Sequence, residues 1–315
     1  MTILTLKRTY ACVLLTLPVT AMAYDLPGVN LGGTSFYDGA PGPQGPGWYL
    51  IEYLQYLSSD TLNDGNGDPL SLPKQDVDLF IPLTQIVYEP EGHFTENTRL
   101  GYTLLLPWMA KQDVDDGLNN AAISAQSGIG DIILGAFLQF DPVMGENGPR
   151  YSQRIELDVT LPTGEYDAGN AINPGSNAFN INPYYSLTYW LTPRWTASTR
   201  ISYLWNGKND DPSTALNAKN DSQAGQALHA NFASAYVLTD NLSVGVNGYW
   251  LNQITDTKVD GKDVKGRREK VWAVGPGLVY KLDQENSVFA NMYFEQDAEN
   301  RSEGNRFVLR FNHHF

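Results

Sequence analysis

From Trp48 to the end of the chain, segments of roughly 10–13 residues recur in which apolar and polar side chains alternate. The clearest is residues 154–161, Arg-Ile-Glu-Leu-Asp-Val-Thr-Leu. Alternation places successive side chains on opposite faces of a β-strand, and a strand of about 9–11 residues is long enough to cross a bilayer. The pattern therefore favours membrane-crossing strands, with lipid on one face and water on the other, over the shorter strands of a soluble β-sandwich.

Twelve such segments can be placed, and an even number is typical of bacterial single-chain outer-membrane barrels. The connections also alternate, because tight turns such as Thr192-Pro193 follow most even-numbered strands and longer segments such as 207–225 follow the odd-numbered ones. The sequence therefore predicts an all-β fold, a transmembrane, antiparallel, up-and-down β-barrel of about twelve strands. The first, second and tenth segments alternate less regularly. The predicted strands are 48–57, 76–88, 96–108, 129–140, 151–162, 178–191, 194–206, 226–238, 241–253, 268–282, 286–295 and 305–315.

The last predicted strand ends the chain on an aromatic residue. Phe307, Leu309, Phe311 and Phe315 point to one side of it, and polar residues such as Arg310 point to the other. This strand resembles the C-terminal sorting strand by which outer-membrane barrels are handed to the β-barrel assembly machinery. We therefore expect that machinery as a partner. Taken alone, these residues also fit an amphipathic strand of a soluble sandwich.

The N-terminus has the pattern of a secretory signal peptide. Lys7 and Arg8 form the charged region, residues 11–19 form a short apolar region, and Ala21-Met22-Ala23 is a small-x-small cleavage sequence. An uncleaved anchor helix needs roughly 18 apolar residues, and this run is shorter. We expect residues 1–23 to be removed and the protein to reach the outer membrane of a Gram-negative cell.

The net charge of the chain limits the classes of molecule that it can bind. Removal of Lys7 and Arg8 with the signal leaves 19 basic and 35 acidic residues, a formal charge of −16. Nucleic acid is excluded as a partner because a phosphate backbone requires a basic surface. Outer-membrane lipid and lipopolysaccharide are expected partners instead. The acidic residues of the outer loops have two interpretations, divalent-cation bridges to lipopolysaccharide phosphates or solubility of the loops.

Residues 24–47 form a Gly/Pro-rich N-terminal arm that precedes the predicted barrel, residues 48–315. Pro27, Pro41 and Pro43 are among the residues that prevent a regular element there. Two arrangements remain open, a flexible periplasmic arm or a plug folded into the barrel.

Charged and aromatic side chains fall on the polar faces of the predicted strands. A lipid-facing Arg would cost roughly 2–4 kcal/mol at the bilayer midplane, so these side chains are expected to face the lumen. There they would either select solutes or pair with one another to fill a narrow barrel. The tyrosines among them would offer aromatic contacts to a solute. The predicted lining residues are Arg99, Asp131, Arg154, Glu156, Asp158, Tyr184, Arg200, His229, Tyr249, Tyr293, Glu295 and Arg310.

The sequence predicts no catalytic residue, cofactor or metal site. The only cysteine, Cys12, lies in the signal, which excludes thiolate metal sites and disulfides. Residues 64–68 alternate oxygen ligands like a calcium loop, but Pro69 and Gln75 stand where an EF-hand needs Gly and Glu. We therefore expect a solvated turn. The histidines are not clustered, and a Gly-x-Ser-x-Gly motif is absent. A dispersed Ser/His/Asn site of a lipid-modifying barrel enzyme is a less favoured alternative.

Several short motifs resemble one family, the outer-membrane barrels named for the meta-cleavage pathway of phenol degradation. The motifs are Gly32-Gly33-Thr34, Gly128-Ile129-Gly130-Asp131, residues 161–167 (Leu-Pro-Thr-Gly-Glu-Tyr-Asp), Asn177 with Phe179 and Pro183, Gly275-Pro276-Gly277 and the terminal Phe315. The resemblance implies a channel suspected of admitting aromatic or other hydrophobic compounds.

The function expected from these patterns is passive uptake of small hydrophobic or aromatic molecules. Twelve strands enclose a narrower lumen than the 16–18 strands of a porin, which favours a restricted or laterally opening path over a general pore. The alternative from another class is a structural or adhesive barrel that transports nothing.

Overall fold

The structure, a computed structural model, describes residues 25–42 and 44–315. The predicted signal peptide, residues 1–23, lies outside the described residues. Twelve long antiparallel strands, numbered β1 to β12 here, pair in chain order and close into a barrel, which confirms the predicted fold class. They are β1 Gly47–Leu62, β2 Asp76–Glu89, β3 Thr98–Met109, β4 Ile133–Phe140, β5 Gly148–Thr160, β6 Asn180–Thr192, β7 Trp195–Asn206, β8 Ala227–Val237, β9 Leu242–Gln253, β10 Lys270–Lys281, β11 Asn286–Glu299 and β12 Ser302–His314. Over the described part of the chain, no helix is sufficiently long and apolar to cross a membrane.

The barrel closes where its first and last strands meet. β1 pairs with β12 in a register that sets Tyr49 opposite His314 and Leu54 opposite Leu309. Beyond the strands, the backbone N–H of Phe315 donates a hydrogen bond to the carbonyl oxygen of Trp48, 3.0 Å away. This pairing leaves neither terminal strand with an unpaired edge, as a spanning barrel requires.

Six short strands lie in the connections. Lys111–Asp115 extends the sheet beside β2, Gly128–Ile129 pairs with β3, and Val143–Gly145 pairs with β5. Ser222–Gln223, Thr257–Val259 and Lys262–Val264 form a separate three-stranded sheet. A single 3-10 turn, Thr214–Leu216, is the one helical element among the described residues. Most of these additions lie in the long connections and give the loop end of the barrel a folded structure.

Side chains alternate between the lumen and the outer wall, as the sequence predicts. In β5, Glu156 is 2% exposed, whereas its neighbours Ile155 and Leu157 are each 47% exposed. In β12, Val308 is fully buried and Phe307 is 42% exposed. Aromatic side chains such as Trp48 and Tyr88, which stack on the outer wall 4.5 Å apart, suit the membrane interface.

Two local predictions are wrong. Residues 296–304, expected to be a loop, belong mostly to β11 and β12, which are joined by a two-residue turn at Asn300 and Arg301. Asn300 adopts a left-handed φ of 54°, which asparagine tolerates well. Residues 129–132, expected to begin β4, precede it, because Asp131 is engaged with the following loop, residues 161–179.

The N-terminal segment, residues 25–42 and 44–46, runs inside the barrel from the long-loop end to the short-turn end. Its apolar side chains provide much of the core that twelve strands cannot fill alone. Leu31 packs in a buried cluster with Tyr249 and Tyr293, and Phe36 packs against Val279 and neighbouring side chains. Of the two arrangements left open by the sequence, the structure has the segment folded into the lumen.

Candidate functional site

The centre of the N-terminal segment is held by a buried ion pair. Asp38 accepts two hydrogen bonds from Arg200 of β7, each 2.8 Å long. The guanidinium also lies over the ring of Tyr184, 3.9 Å from its centroid. Thr188 donates a 2.5 Å hydrogen bond to the carbonyl oxygen of Asp38. Bidentate pairs of this kind combine strength with a defined geometry, so they fix the segment against β6 and β7.

A second contact depends on glycine. Gly32 has a φ of 77°, and a Cβ atom there would lie 2.6 Å from Tyr293. The Tyr293 hydroxyl donates to the Gly32 carbonyl oxygen (2.8 Å), and the Gly32 N–H donates to Asn231 (2.7 Å). Tyr249 packs beside Tyr293, with ring centroids 5.1 Å apart, and donates to Glu295 (2.6 Å). These two tyrosines are therefore covered by the segment.

The outer end of the segment is anchored near the loops. Asp25 pairs with Arg267, with hydrogen bonds of 2.9 and 2.7 Å, and the N–H of Leu26 donates to Glu269 (2.9 Å). Arg301 lies 3.5 Å from Glu269. Burial raises the pKa of Glu269 to about 7, although Arg301 opposes this shift. Glu269 therefore changes charge near neutral pH at a point that holds the segment.

Beside the N-terminal segment the barrel contains a cavity of about 390 Å³ at its loop-side half. This volume falls within the range of roughly 300–1,000 Å³ that small-molecule sites occupy. Residues of the segment form one side of it, including Leu26 and Val29. The cavity is the candidate functional site because it lies inside the barrel and is lined by both the segment and the strands.

One wall of the cavity is apolar. It consists of inward side chains of β2 and β3, namely Val77, Leu79, Ile81, Leu83, Leu105, Pro107 and Met109. Outward neighbours on the same strands, such as Leu106 at 40% exposure, are apolar as well. Two apolar faces explain why the second predicted strand alternates poorly. The apolar wall could therefore have been predicted from the loss of alternation in that strand.

The facing wall is polar and comes from β5, β6 and β7. Glu156 accepts a hydrogen bond from Tyr184, and Arg154 lies 3.8 Å from the same carboxylate. Asp158, two residues along β5, lies beside Gly135 of β4, where a Cβ atom would be 2.4 Å from the Asp158 Oδ1. The wall continues through buried amides and hydroxyls of β6 and β7, including Asn180, Ser202 and Asn206.

The twelve predicted lining residues do not form one cluster. Asp131, Glu156, Asp158, Tyr184 and Arg200 line the cavity. Asp131 does so from a loop position, where its carboxylate accepts hydrogen bonds from the backbone of Gly164 and from Ser176. The prediction that placed it on a strand face is therefore wrong in its local structure.

The remaining predicted residues lie away from the cavity. Arg99 pairs with Asp141 (2.8 Å) at the short-turn rim. Arg154 donates to Gln139 (2.8 Å) and covers the ring of Phe137. His229 hydrogen-bonds Asn182 (3.1 Å), Glu295 lies 3.9 Å from Arg306, and Arg310 lies over the ring of Phe289. Most charges in the lumen are paired. This arrangement fits the interpretation in which charged side chains pair with one another to fill a narrow barrel.

Several residues of the site were not anticipated. Asp38 and Asp25 are the two acidic residues of the N-terminal segment, and each pairs with an arginine of the barrel. Two isolated acidic residues in a Gly/Pro-rich stretch could have indicated that this segment forms ion pairs with the barrel. Glu269 was also missed, because the tenth predicted strand, residues 268–282, alternates too irregularly to assign the face of each side chain. In the structure Glu269 lies just before β10.

No metal site is present in residues 25–42 and 44–315, since no three His, Cys, Asp or Glu side chains are grouped to hold an ion. In the calcium-like stretch, Asp64 accepts hydrogen bonds from the N–H groups of Asn66 (2.8 Å) and Asp68 (3.1 Å). These bonds lower the pKa of Asp64 and make the stretch a self-contained turn.

Residues 59–311 match the model of the family described as "Putative MetA-pathway of phenol degradation". The chain belongs to this family. The match covers most of the barrel and confirms the resemblance found in the short motifs. No curated protein matches the sequence.

Among solved structures, the family member described here is similar to the COG4313 outer membrane channel from Pseudomonas putida F1. The TM-score is 0.75 at 17% identity, with 91% of this chain and 100% of that chain covered. At this identity the likeness establishes the fold, that of an outer-membrane barrel. The TodX deltaS2S3 mutant monoaromatic hydrocarbon channel (TM-score 0.46, 12% identity, 93% and 100% covered) and the CymD monoaromatic hydrocarbon channel (0.43, 9%, 86% and 89%) are more distant.

Proposed function

We propose that this protein is an outer-membrane channel that admits small hydrophobic or aromatic molecules by passive diffusion. The single observation that carries the proposal is a cavity of about 390 Å³ with an apolar wall from β2 and β3, inside a closed barrel. A water-filled pore would have polar side chains around its whole lumen. An apolar inner wall instead lowers the free energy of an apolar solute relative to water.

The N-terminal segment explains why the path is restricted. Asp38, Gly32 and Phe36 contact the barrel on several sides and occupy its centre. We expect these contacts to hinder the passage of a large hydrated solute such as a sugar. A small solute would instead pass through the space beside the segment.

We also propose how the protein reaches the outer membrane. A signal peptide of residues 1–23 delivers the chain for export, and the C-terminal strand with Phe307, Phe311 and Phe315 directs it to the assembly machinery. The outward apolar side chains then contact lipid, and the acidic loops contact the lipopolysaccharide layer.

A comparison of solute uptake tests the proposal. Liposomes with and without the folded protein would be exposed to toluene-like, phenolic and sugar solutes, and the entry of each would be measured. We expect the protein to accelerate entry of the aromatic solutes and to leave sugar entry unchanged. Equal entry rates for all solutes would overturn it. No acceleration of any solute would favour the alternative, a structural or adhesive barrel.

A further inference from the structure

A second recess lies on the outer wall of the barrel, at the base of the long loops that follow β7 and β9. The residues that line it include Trp205, Gln226, Asp256, Lys258, Lys265 and Arg268. We propose that this outer recess binds the phosphate groups of lipopolysaccharide. The site is separate from the channel function and shares with it only the proposed orientation, in which the long loops lie outside the cell.

The alternation of side chains separates the outer recess from the lumen. Thr257 lines the internal cavity, whereas Lys258, the next residue, lines the outer recess. In the same way Leu204 and Asn206 of β7 line the cavity, and Trp205 between them lines the recess. Successive residues of a strand point to opposite faces, so the loop hairpin and β7 both present these side chains to the exterior.

Trp205 indicates the height of the recess in the membrane. Trp195 and Trp205 lie on the outer face of the same strand, β7, ten residues apart. At about 3.3 Å per residue and a strand tilt of roughly 40°, the two positions are about 25 Å apart along the barrel axis, which is the height of the apolar band of outer-membrane barrels. Trp195 follows a short turn, so Trp205 marks the opposite interface, as do Trp250 and Trp272, which pair across β9 and β10. The recess therefore lies at the level of the lipid headgroups.

Basic residues are concentrated beside this recess. Residues 256–270 hold six basic and four acidic side chains, a formal charge of +2, whereas the chain without its predicted signal peptide carries −16. Lys258 is exposed and forms no ion pair among the described residues, although Asp263 stands opposite it in the hairpin register and also lines the recess. In a strongly acidic protein this local excess of positive charge favours an anionic partner.

Asp256 orients two of the basic side chains of the recess. Its buried carboxylate accepts a hydrogen bond from the Nε of Arg268 (2.7 Å) and another from Lys265. The Lys265 and Arg268 side chains remain 78% and 49% exposed, so donors that Asp256 does not use are accessible. A guanidinium held through its Nε still presents terminal NH2 groups, which suit bidentate binding of a phosphate, and an ammonium adds a point charge.

Lipopolysaccharide combines the two features to which this surface is complementary. Its acyl chains would lie along the apolar outer wall below the recess, where Ile201 is 54% exposed. Its phosphate groups, at the level of the headgroups, would then meet Lys258, Lys265 and Arg268. Each basic side chain beside an anionic lipid surface strengthens binding several-fold. A soluble anion would gain only this electrostatic part, because it has no acyl chains to place on the wall.

Binding of lipid A to the full-length protein in detergent tests the inference. The probes are lipid A with two phosphates, the same lipid after removal of both phosphates, and phosphatidylglycerol, and native mass spectrometry would measure the bound lipid. We expect the bisphosphorylated lipid A to bind roughly tenfold more tightly than either of the others. Equal binding of the dephosphorylated lipid A or of phosphatidylglycerol would overturn the inference. Displacement of lipid A by equimolar inorganic phosphate would also overturn it, because the recess would then be a site for a free anion.

Substitutions separate a defined site from diffuse attraction. Lys258→Gln breaks no ion pair of the described residues, and when it is combined with Lys265→Gln, Asp256 keeps its bond to Arg268. We expect Lys258→Gln to lose roughly threefold in affinity for bisphosphorylated lipid A, and the double variant roughly tenfold. Lys262→Gln is the matched control, because it removes the same charge from an exposed position of the same hairpin outside the recess. An equal loss in Lys262→Gln and Lys258→Gln would show diffuse attraction and overturn the inference.

The same variants keep the lumen unchanged, so entry of aromatic solutes into liposomes should equal that of the wild type. A protein that binds lipid A through the recess but admits no solute would refute the proposed function and leave the lipid site standing. A protein that admits aromatic solutes but does not distinguish the phosphorylated lipid A would refute the lipid site alone.

Discussion

Asp38 and Arg200, 162 residues apart in the sequence, are joined inside the barrel by two hydrogen bonds of 2.8 Å. The pair ties the middle of the N-terminal segment to β7. Removing one partner of a buried ion pair costs about 3–5 kcal/mol, because the other charge is left without compensation. We therefore expect loss of the pair to loosen the segment in the lumen.

Arg200→Ala should release the centre of the segment, because Asp38 can then regain solvation only by leaving its place. We expect single-channel conductance in planar bilayers to rise several-fold. The exchanged pair, Asp38→Arg with Arg200→Asp, should return it towards the wild-type value. Lys208→Ala, which breaks an exposed ion pair with Asp221 of 2.6 Å, is the control. Unchanged conductance in Arg200→Ala would show that the pair does not hold the segment.

Gly39→Ala should have a similar effect for a steric reason. Gly39 has a φ of 87°, and a Cβ atom there would lie 2.7 Å from backbone atoms of Ser186 and Leu187, which cannot yield. We expect higher conductance and faster proteolysis of residues 25–46. Gly28→Ala is the matched control, since its Cβ would meet nothing within 4 Å. Equal behaviour of the two variants would contradict this account of the segment.

Thermal stability should depend on pH through Glu269. Its pKa is raised by burial to about 7 from 4.5, so the native state holds a proton that the unfolded chain has released. The resulting stability is present below about pH 4.5 and is lost as the pH rises through about 7. Relative to Glu269→Gln, the wild type should lose up to about 3 kcal/mol across this window.

Circular-dichroism melting from pH 4.5 to 8 would measure the effect. Glu269→Gln should show a flatter dependence than the wild type, and Glu285→Gln, in a short turn, should follow the wild type. Parallel curves for the wild type and Glu269→Gln would show that Glu269 is not the group responsible.

Phe315→Ala should lower the amount of folded protein in the outer membrane several-fold, if the terminal aromatic residue is read during assembly. The backbone bond from residue 315 to Trp48 survives the change, so an effect would come from the side chain. Heat-modifiable migration of outer-membrane fractions in gels measures the folded amount. Phe294→Ala, an outward residue that is 43% exposed, is the control. If Phe315→Ala reaches wild-type levels of folded protein, the side chain of Phe315 is not needed for assembly.

The local alternation of side chains was sufficient to predict the barrel. In residues 154–161 each side chain's face follows from its position along the strand, because the period of two is a property of the backbone. The even strand count and the short and long connections followed from the same pattern. Where alternation failed, as at Leu79 to Leu83, the cause was an apolar inner wall that a local pattern cannot distinguish from a buried core strand.

The number of strands, their order and the faces of most side chains could be predicted from the sequence. The position of the N-terminal segment in the lumen, the contact between Asp38 and Arg200, and the cavity lined by both Asp158 and Leu105 could not. The difference lies in the distance along the chain over which each feature is set. Facing is set within a few residues by backbone geometry, whereas these contacts depend on barrel closure, which brings together side chains that no local periodicity relates.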